Sequence, residues 1–271
     1  MGKYKAKHLK IDNSLLHRVF VPLLIICLAV IVYCAYGTIR GLRMDHQGDS
    51  FYSDMVSDYI NVRPVVEDAD DVEDADDTGS AWVPYVDFQS LSNSYPEIVA
   101  WIVCEGTEID YPVMQADDNE YYLEHLPDGT ENRNGSIFLN YGNAFDFSDR
   151  NSILYGHHLK NGSMFSSLEN YKKQTYYDEH PTIFIYTPEK NYKIELFSGY
   201  VIDGTKELLP LGFRNNSEFQ DYVTSIRQRS TFQSDVEVGS GDQLVTLYTC
   251  TYSFENARFI LVGKLVEVDG V

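Results

Sequence analysis

Basic residues are scarce in this chain of 271 residues: 21 Lys and Arg stand against 41 Asp and Glu, a formal net charge of −20. That balance excludes a nucleic-acid binder, which needs a basic footprint to neutralise phosphate. Cysteine is scarcer still. Cys27, Cys34, Cys104 and Cys250 are widely spaced and too few for a disulfide scaffold. Beyond the N-terminal apolar run there is no C-x-x-C, no H-x-x-x-H and no carboxylate cluster at ligand spacing, so no metal site and no cofactor is expected. No internal repeat is present. What the chain does have is a hydrophobic fraction of 44%, ample for a folded core. Its length allows one large domain with appendages, or at most two domains.

Charge and apolarity are segregated. Residues 1–18 hold Lys3, Lys5, Lys7, Lys10 and Arg18 against the single acid Asp12. Residues 19–39 then run without a charge, as VFVPLLIICLAVIVYCAYGTI. A helix of that length crosses a hydrocarbon core of about 30 Å. Pro22 falls in the first turn, where a missing N–H costs least. A cleaved signal peptide is the other reading, but the run is long for one and has no A-x-A site. An uncleaved anchor is therefore expected, with the basic tail in the cytoplasm and everything after residue 40 outside the cell membrane. Phe51, Met55, Tyr59 and Ile60 predict a short juxtamembrane helix over 48–62. The run EDADDVEDADD at 67–77 places eight acids in eleven residues. It lacks the glycine turn and terminal glutamate of an EF-hand calcium loop and reads as a self-repelling spacer. The expected organisation is a cytoplasmic tail (1–18), a transmembrane helix (19–39), a juxtamembrane helix and spacer (40–80), and an extracytoplasmic catalytic domain (81–271).

From residue 81 short apolar runs alternate with Gly, Asn, Asp and Pro. Strands are predicted at 98–103, 136–139, 152–155, 182–186, 192–202, 243–250 and 258–266. A helix is predicted over 164–172, with Met164, Phe165, Leu168 and Tyr171 on one side. Another begins at Ser217, where Gln220 completes a capping-box pattern and Phe219, Tyr222, Val223 and Ile226 form an apolar face. Many short strands with few helices imply a mainly β fold with accessory helices, a closed or nearly closed barrel.

Chemistry concentrates at two strand ends. Cys27 and Cys34 are small apolar residues of the span. Cys104 ends an apolar strand and reads as a buried small residue; a bridge to Cys250 is chemically permitted outside the cell, but sequence does not establish proximity. Cys250 ends its strand, and Arg258 opens the next after seven residues. In an antiparallel hairpin the two face each other, and the guanidinium would favour a thiolate and stabilise an oxyanion. The plainer reading of Arg258 is a surface charge at a strand end. His157 and His158 follow Tyr155-Gly156 at another strand end. Two adjacent histidines also suit a metal, but without further ligands a thiolate–imidazole pair is the more economical reading.

These residues carry a resemblance. TLYTC (246–250), Arg258 and the following FILVGKL resemble the cysteine and arginine strands of sortases. YGHHLKNGSMF (155–165) is similar to the histidine segment of class B sortases, as are GTEIDYPVMQADDNEYYLEH (106–125) and GSIFLN (135–140). The resemblance spans roughly 82–266. It implies an eight-stranded β-barrel preceded by the N-terminal transmembrane helix, with N-terminal helices and a long helix before the cysteine strand. It implies Cys250 as nucleophile, His157 as acid/base with His158 its neighbour, and Arg258 as the orienting, oxyanion-stabilising arginine. The implied reaction is that of a cysteine transpeptidase: a C-terminal sorting motif of a secreted protein is cleaved through a thioester and passed to an amine of peptidoglycan or its lipid-linked precursor. Many class B members carry serine where this chain has Tyr248; Tyr248 and Thr249 are taken as substrate-binding candidates. A thiol peptidase that hydrolyses the same thioester, and a silent barrel that binds wall peptides, are the alternatives.

Overall fold

The computed structural model describes residues 13–64 and 82–268. The acidic run at 67–77 and the four lysines of the tail lie outside the described residues. The chain divides into two compact units, one ending at His46 and one beginning at Gln47.

Helix α1 (Asn13–Tyr59) contains the uncharged run. Its large side chains between Phe20 and Ile39 are exposed on every side, Leu24 by 61% and Val32 by 67%. A helix that is apolar all round needs an apolar surrounding, and α1 contains the one candidate membrane span among the described residues. The separate juxtamembrane helix predicted over 48–62 does not exist as such: α1 runs unbroken to Tyr59, and Ile60–Pro64 forms strand β1, paired antiparallel with β2 (Trp82–Val86). Single glycines such as Gly41 and Gly48 cost a helix about 1 kcal/mol each, too little to stop one whose next turns bury Tyr52 and Met55. The Tyr52 hydroxyl donates to the Gly135 carbonyl at 2.5 Å. A short helix α2 (Phe88–Ser94), capped by Asp87, leads into the barrel.

Eight strands close that barrel: β3 (Ile98–Val103), β4 (Asp110–Met114), β5 (Ile137–Leu139), β6 (Asn151–Tyr155), β7 (Thr182–Tyr186), β8 (Asn191–Asp203), β9 (Gln243–Cys250) and β10 (Ala257–Val268). Around the barrel the order is β10-β8-β7-β3-β4-β5-β6-β9, with β9 returning to β10. The pairs β4–β5 and β6–β9 are parallel and the others antiparallel. All seven predicted strands are present. The barrel strand that pattern alone misses is β4, because Pro112 interrupts its apolar run and a proline cannot donate to a ladder; the β1–β2 pair outside the barrel is missed as well. Trp101, Phe138 and Leu154 fill the main core.

The predicted helix over 164–172 is a 3₁₀ segment, Ser166–Lys172, followed by α3 (Gln174–Glu179). Met164 has φ 58°, a left-handed value incompatible with a helix. The predicted apolar side nevertheless holds, since Met164, Phe165, Leu168 and Tyr171 are all buried. Helix α4 (Asn216–Arg229) is capped two residues earlier than the Ser217 pattern implied. Asn215 accepts from the Glu218 amide at 2.9 Å, and Glu218 reaches back to the Arg214 amide at 2.6 Å. Phe219, Val223 and Ile226 of α4 pack on the outer side of β8 and β10, against Phe197, Tyr200, Ile260 and Val262. That second core is why β8 and β10 read as long apolar runs: parts of them are buried on both faces. Phe219→Ala should destabilise the protein by about 3–5 kcal/mol through the cavity it leaves, measurable as a lowered urea midpoint with an unchanged slope.

Candidate active site

Strand β9 lies between β6 on one side and β10 on the other, and its last residue is Cys250. On the antiparallel side Cys250 is paired with Arg258, so the two side chains share a face roughly 5 Å apart at Cβ. On the parallel side Tyr155 is paired with Tyr248, their rings edge to face at 5.1 Å. The pairing continues past β6, where the Gly156 amide donates to the Tyr248 carbonyl at 3.1 Å. His157 follows Tyr155 by two residues, as Cys250 follows Tyr248, and the histidine segment stays beside the end of β9 through the Thr249–Gly156 and His158–Cys250 hydrogen bonds. The ends of β6, β9 and β10 thus meet at one rim, where Arg258 faces the exposed Cys250 thiol and the chain leaving β6 carries His157 and His158.

Each is held in place by its surroundings. Gly156 packs so closely that an added Cβ would lie 2.4 Å from Ile137 Cδ1 and 2.6 Å from Phe165 Cδ2. Only glycine lets the chain turn there and present His157. The His157 Nε2–H donates to the Leu123 carbonyl at 2.7 Å. A carbonyl only accepts, so the proton sits on Nε2, and the neutral ring keeps its lone pair on Nδ1. Sequence pattern gave no hint of Leu123, because a main-chain carbonyl carries no residue-type signal.

Arg258 donates through Nη1 to the Ala257 carbonyl at 3.1 Å, and its guanidinium lies 6.0 Å from the Tyr248 ring centre. Among the described residues no carboxylate pairs with it, which leaves its charge available to an anion on this rim. Burial raises the Tyr248 phenol above its usual pKa; the charge and hydrogen bond of Arg258 oppose that shift. Gly204, at the end of β8, makes room for both side chains: a Cβ there would lie 2.9 Å from Arg258 Cγ and from the Tyr248 hydroxyl.

Tyr248 shares the face of Cys250. Thr249 does not. It is 1% exposed, and its hydroxyl donates to the Gly156 carbonyl at 2.8 Å. The alternation of a strand turns it away from Cys250, so it braces β9 against the histidine segment and is not a groove contact. His158 is also turned away from His157: its Nδ1–H donates to the Cys250 main-chain carbonyl at 2.9 Å. Cys104 is a free thiol, 1% exposed, with Sγ 3.7 Å from the Tyr171 hydroxyl. Burial pushes its pKa up. A protected thiol far into a core is a poor nucleophile.

The fold and this rim define a cysteine enzyme of the barrel class, and comparison with known proteins identifies the family. Residues 102–266 match the Sortase domain family. The chain is 37% identical over 182 residues to sortase B of Listeria monocytogenes, covering 66% of this chain and 73% of that protein. Its fold is similar to that of a Staphylococcus aureus sortase B–substrate complex, at a TM-score of 0.64 and 34% identity over 67% of this chain and 85% of that one. It is similar also to sortase B of B. anthracis, with a TM-score of 0.70 and 29% identity over 84% and 100% of the respective chains. The chain belongs to the sortase family of cysteine transpeptidases, in its class B. The family implies substrate proteins and cell-wall amine acceptors.

Thiol labelling separates the two cysteines of the barrel. In the native chain iodoacetamide should modify Cys250, whereas Cys104 should react only after denaturation, as read by peptide mass spectrometry.

Proposed function

We propose that Cys250 is the nucleophile, His157 the acid/base and Arg258 the anion-stabilising residue of a transpeptidase tethered to the outer face of a Gram-positive-type cell membrane, with the N-terminus cytoplasmic. The observation that supports this reading is an exposed thiol at the end of β9 facing Arg258, which no carboxylate pairs among the described residues, with the histidine segment on the other side of the strand.

The Cys250 thiol passes its proton to His157 Nδ1, and the resulting thiolate attacks the Thr carbonyl of a C-terminal sorting motif in a secreted protein, forming a C–S bond and placing the carbonyl electron pair on oxygen. Arg258 lies beside both anions and stabilises the oxyanion most when its charge is fully developed. Collapse breaks the C–N bond, and the departing amine takes a proton from His157 Nδ1. His157 is suited to this because the Leu123 carbonyl holds its other nitrogen protonated throughout. An amine of peptidoglycan or of its lipid-linked precursor then attacks the thioester; His157 accepts its proton and the thiolate departs. Splitting the exchange into two acyl transfers keeps the energy of the peptide bond in the thioester. Tyr248, on the face of the nucleophile, borders the substrate groove.

Mass spectrometry of the chain with a panel of Thr-containing sorting peptides, with and without amines, tests this reading. A thioester adduct on Cys250 and an amine-dependent product are expected. Adducts that only hydrolyse would make the enzyme a thiol peptidase, and no adduct at all would leave a binding barrel. Cys250→Ala should abolish turnover, and His157→Ala should lower it by about 10²-fold or more. Arg258→Lys, which keeps the charge but loses the planar fork, should keep its Tm and lose most of kcat/KM. Full activity in the lysine variant would reduce Arg258 to a general positive charge.

A further inference from the structure

The chain between Cys250 and Arg258 is an exposed loop, with Tyr252 and Phe254 largely in solvent. Two main-chain bonds close it, from the Thr251 amide to the Ala257 carbonyl at 3.1 Å and from the Ala257 amide to the Phe254 carbonyl at 3.2 Å, and the Gly204 amide donates to the Asn256 carbonyl at 3.0 Å. The first of these holds the N–H of the Cys250–Thr251 peptide, while its carbonyl is met by a side chain.

Side chains from the histidine segment and the 3₁₀ segment complete the hold. His158 Nδ1–H donates to the Cys250 carbonyl at 2.9 Å. Lys172 Nζ donates to Thr251 Oγ1 at 2.9 Å and to Ser253 Oγ at 3.0 Å. The Thr251 hydroxyl donates to Glu169 Oε1 at 2.6 Å. Glu169 is the hub: it pairs with Lys172, and its second oxygen lies 3.6 Å from His158 Nδ1. Burial opposes ionisation of Glu169, but hydrogen bonds from Lys172 and Thr251 and the charges of Lys172 and His158 outweigh it and keep the carboxyl below its usual pKa. The Tyr252 ring leans on the outer side of His158, 5.1 Å between centres.

From this geometry we infer that His158, Glu169 and Lys172 form a clamp that fixes the Cys250 peptide plane, and with it the direction of the thiol towards His157 and Arg258. The inference rests on Cys250 being the nucleophile. His158 and Glu169 are then positioning residues: they touch neither substrate nor the reacting atoms, and they act through the main chain of the residue that does. The adjacent histidines divide the work, one ring serving the reacting side of the rim and the other the peptide behind it. Misplacing a reacting atom by about 1 Å costs on the order of 10²-fold in rate, whereas the clamp lies outside the barrel core and contributes little to folding.

The test uses the full chain in detergent, with iodoacetamide as the thiol probe and the best peptide of the panel above as substrate. His158→Ala should lower kcat by about 10- to 100-fold with KM within about twofold. It should slow alkylation of Cys250 and speed hydrogen exchange across 250–257, with Tm unchanged. His158→Asn returns an N–H on the atom bonded to Cγ, where Nδ1 stood, and should restore all three; His158→Gln carries its N–H one bond further out and should not. Glu169→Gln keeps the shape without the charge and should fall between alanine and wild type. Wild-type alkylation and exchange in His158→Ala would overturn the clamp even if no peptide were turned over. So would equal loss in the asparagine and glutamine variants. Activity surviving in Cys250→Ala would instead sink the nucleophile assignment, a separate failure.

Discussion

The site depends on the fact that β9 is paired along both edges as far as Tyr248 and, against β10, to its last residue Cys250. A strand end is normally where a ladder frays and side chains swing. Here the antiparallel partner β10 pairs with Cys250 itself, while the parallel pairing with β6 ends at Tyr248, and the Thr249 hydroxyl and the His158 ring tie the last two residues to the histidine segment. The cost of placing a reactive group at a precise point is met by the barrel ladder before substrate arrives, which is the physical content of preorganisation. Closure of the barrel extends that rigidity, since neither β6 nor β10 is a free edge.

Two kinds of strand pairing contribute differently. The β9–β10 hairpin is local, and its register follows from eight residues of spacing between Cys250 and Arg258. The β6–β9 pair is parallel and brings together segments far apart in sequence, joined through β7, β8 and α4. Its register is fixed by contacts that a hairpin does not need: the Tyr155–Tyr248 ring pair, the Thr246 hydroxyl on Asn151 Oδ1 at 2.8 Å, and the Thr249 hydroxyl on the Gly156 carbonyl. A one-residue slip would break all three and turn His157 to the opposite face. The polar residues buried in β9 are therefore register pins.

That distinction explains what the sequence made legible. The strands were readable because β-branched and aromatic residues cluster between turn residues, and the facing of Cys250 and Arg258 was readable because it is local. The pairing of β6 with β9, which carries the histidine segment to the end of the cysteine strand, is not encoded in any periodicity, since none specifies a parallel partner. The Leu123 carbonyl was invisible, and so was the role of Glu169, whose spacing to His158 and Thr251 is meaningful only after the 3₁₀ segment has folded beside the loop. Thr249 was misread for a related reason. Nearness to the nucleophile in sequence suggested contact with substrate, while the two-residue period of a strand sends adjacent side chains to opposite faces. Helix α4 illustrates the same competition among local signals, where Ser217–Gln220 and Asn215–Glu218 both have capping-box form and Asn215, extended at φ −161°, is the one that caps.

Tyr248 shows how a departure from the family's pattern is accommodated. A phenol in place of serine on the face of the nucleophile looks from sequence like an obstruction. In the fold its ring lies against Tyr155, and its hydroxyl occupies space that exists because residue 204 has no side chain. Attraction between the ring and the Arg258 cation is not what makes this arrangement useful: at 6.0 Å and a half-exposed site it is worth at most about 0.5–1 kcal/mol. The steric term is larger. With a Cβ at 204 both Arg258 Cγ and the Tyr248 hydroxyl would be within 2.9 Å of it, so one or both would have to shift. Positions 204, 248 and 258 thus form a single packing unit on the rim. The tyrosine gives Arg258 a wall on the side away from Cys250's loop, and the glycine sets how far that wall can recede. The shape of the surface beside Cys250 follows from the three together, and substitution at any one of them is felt by the other two.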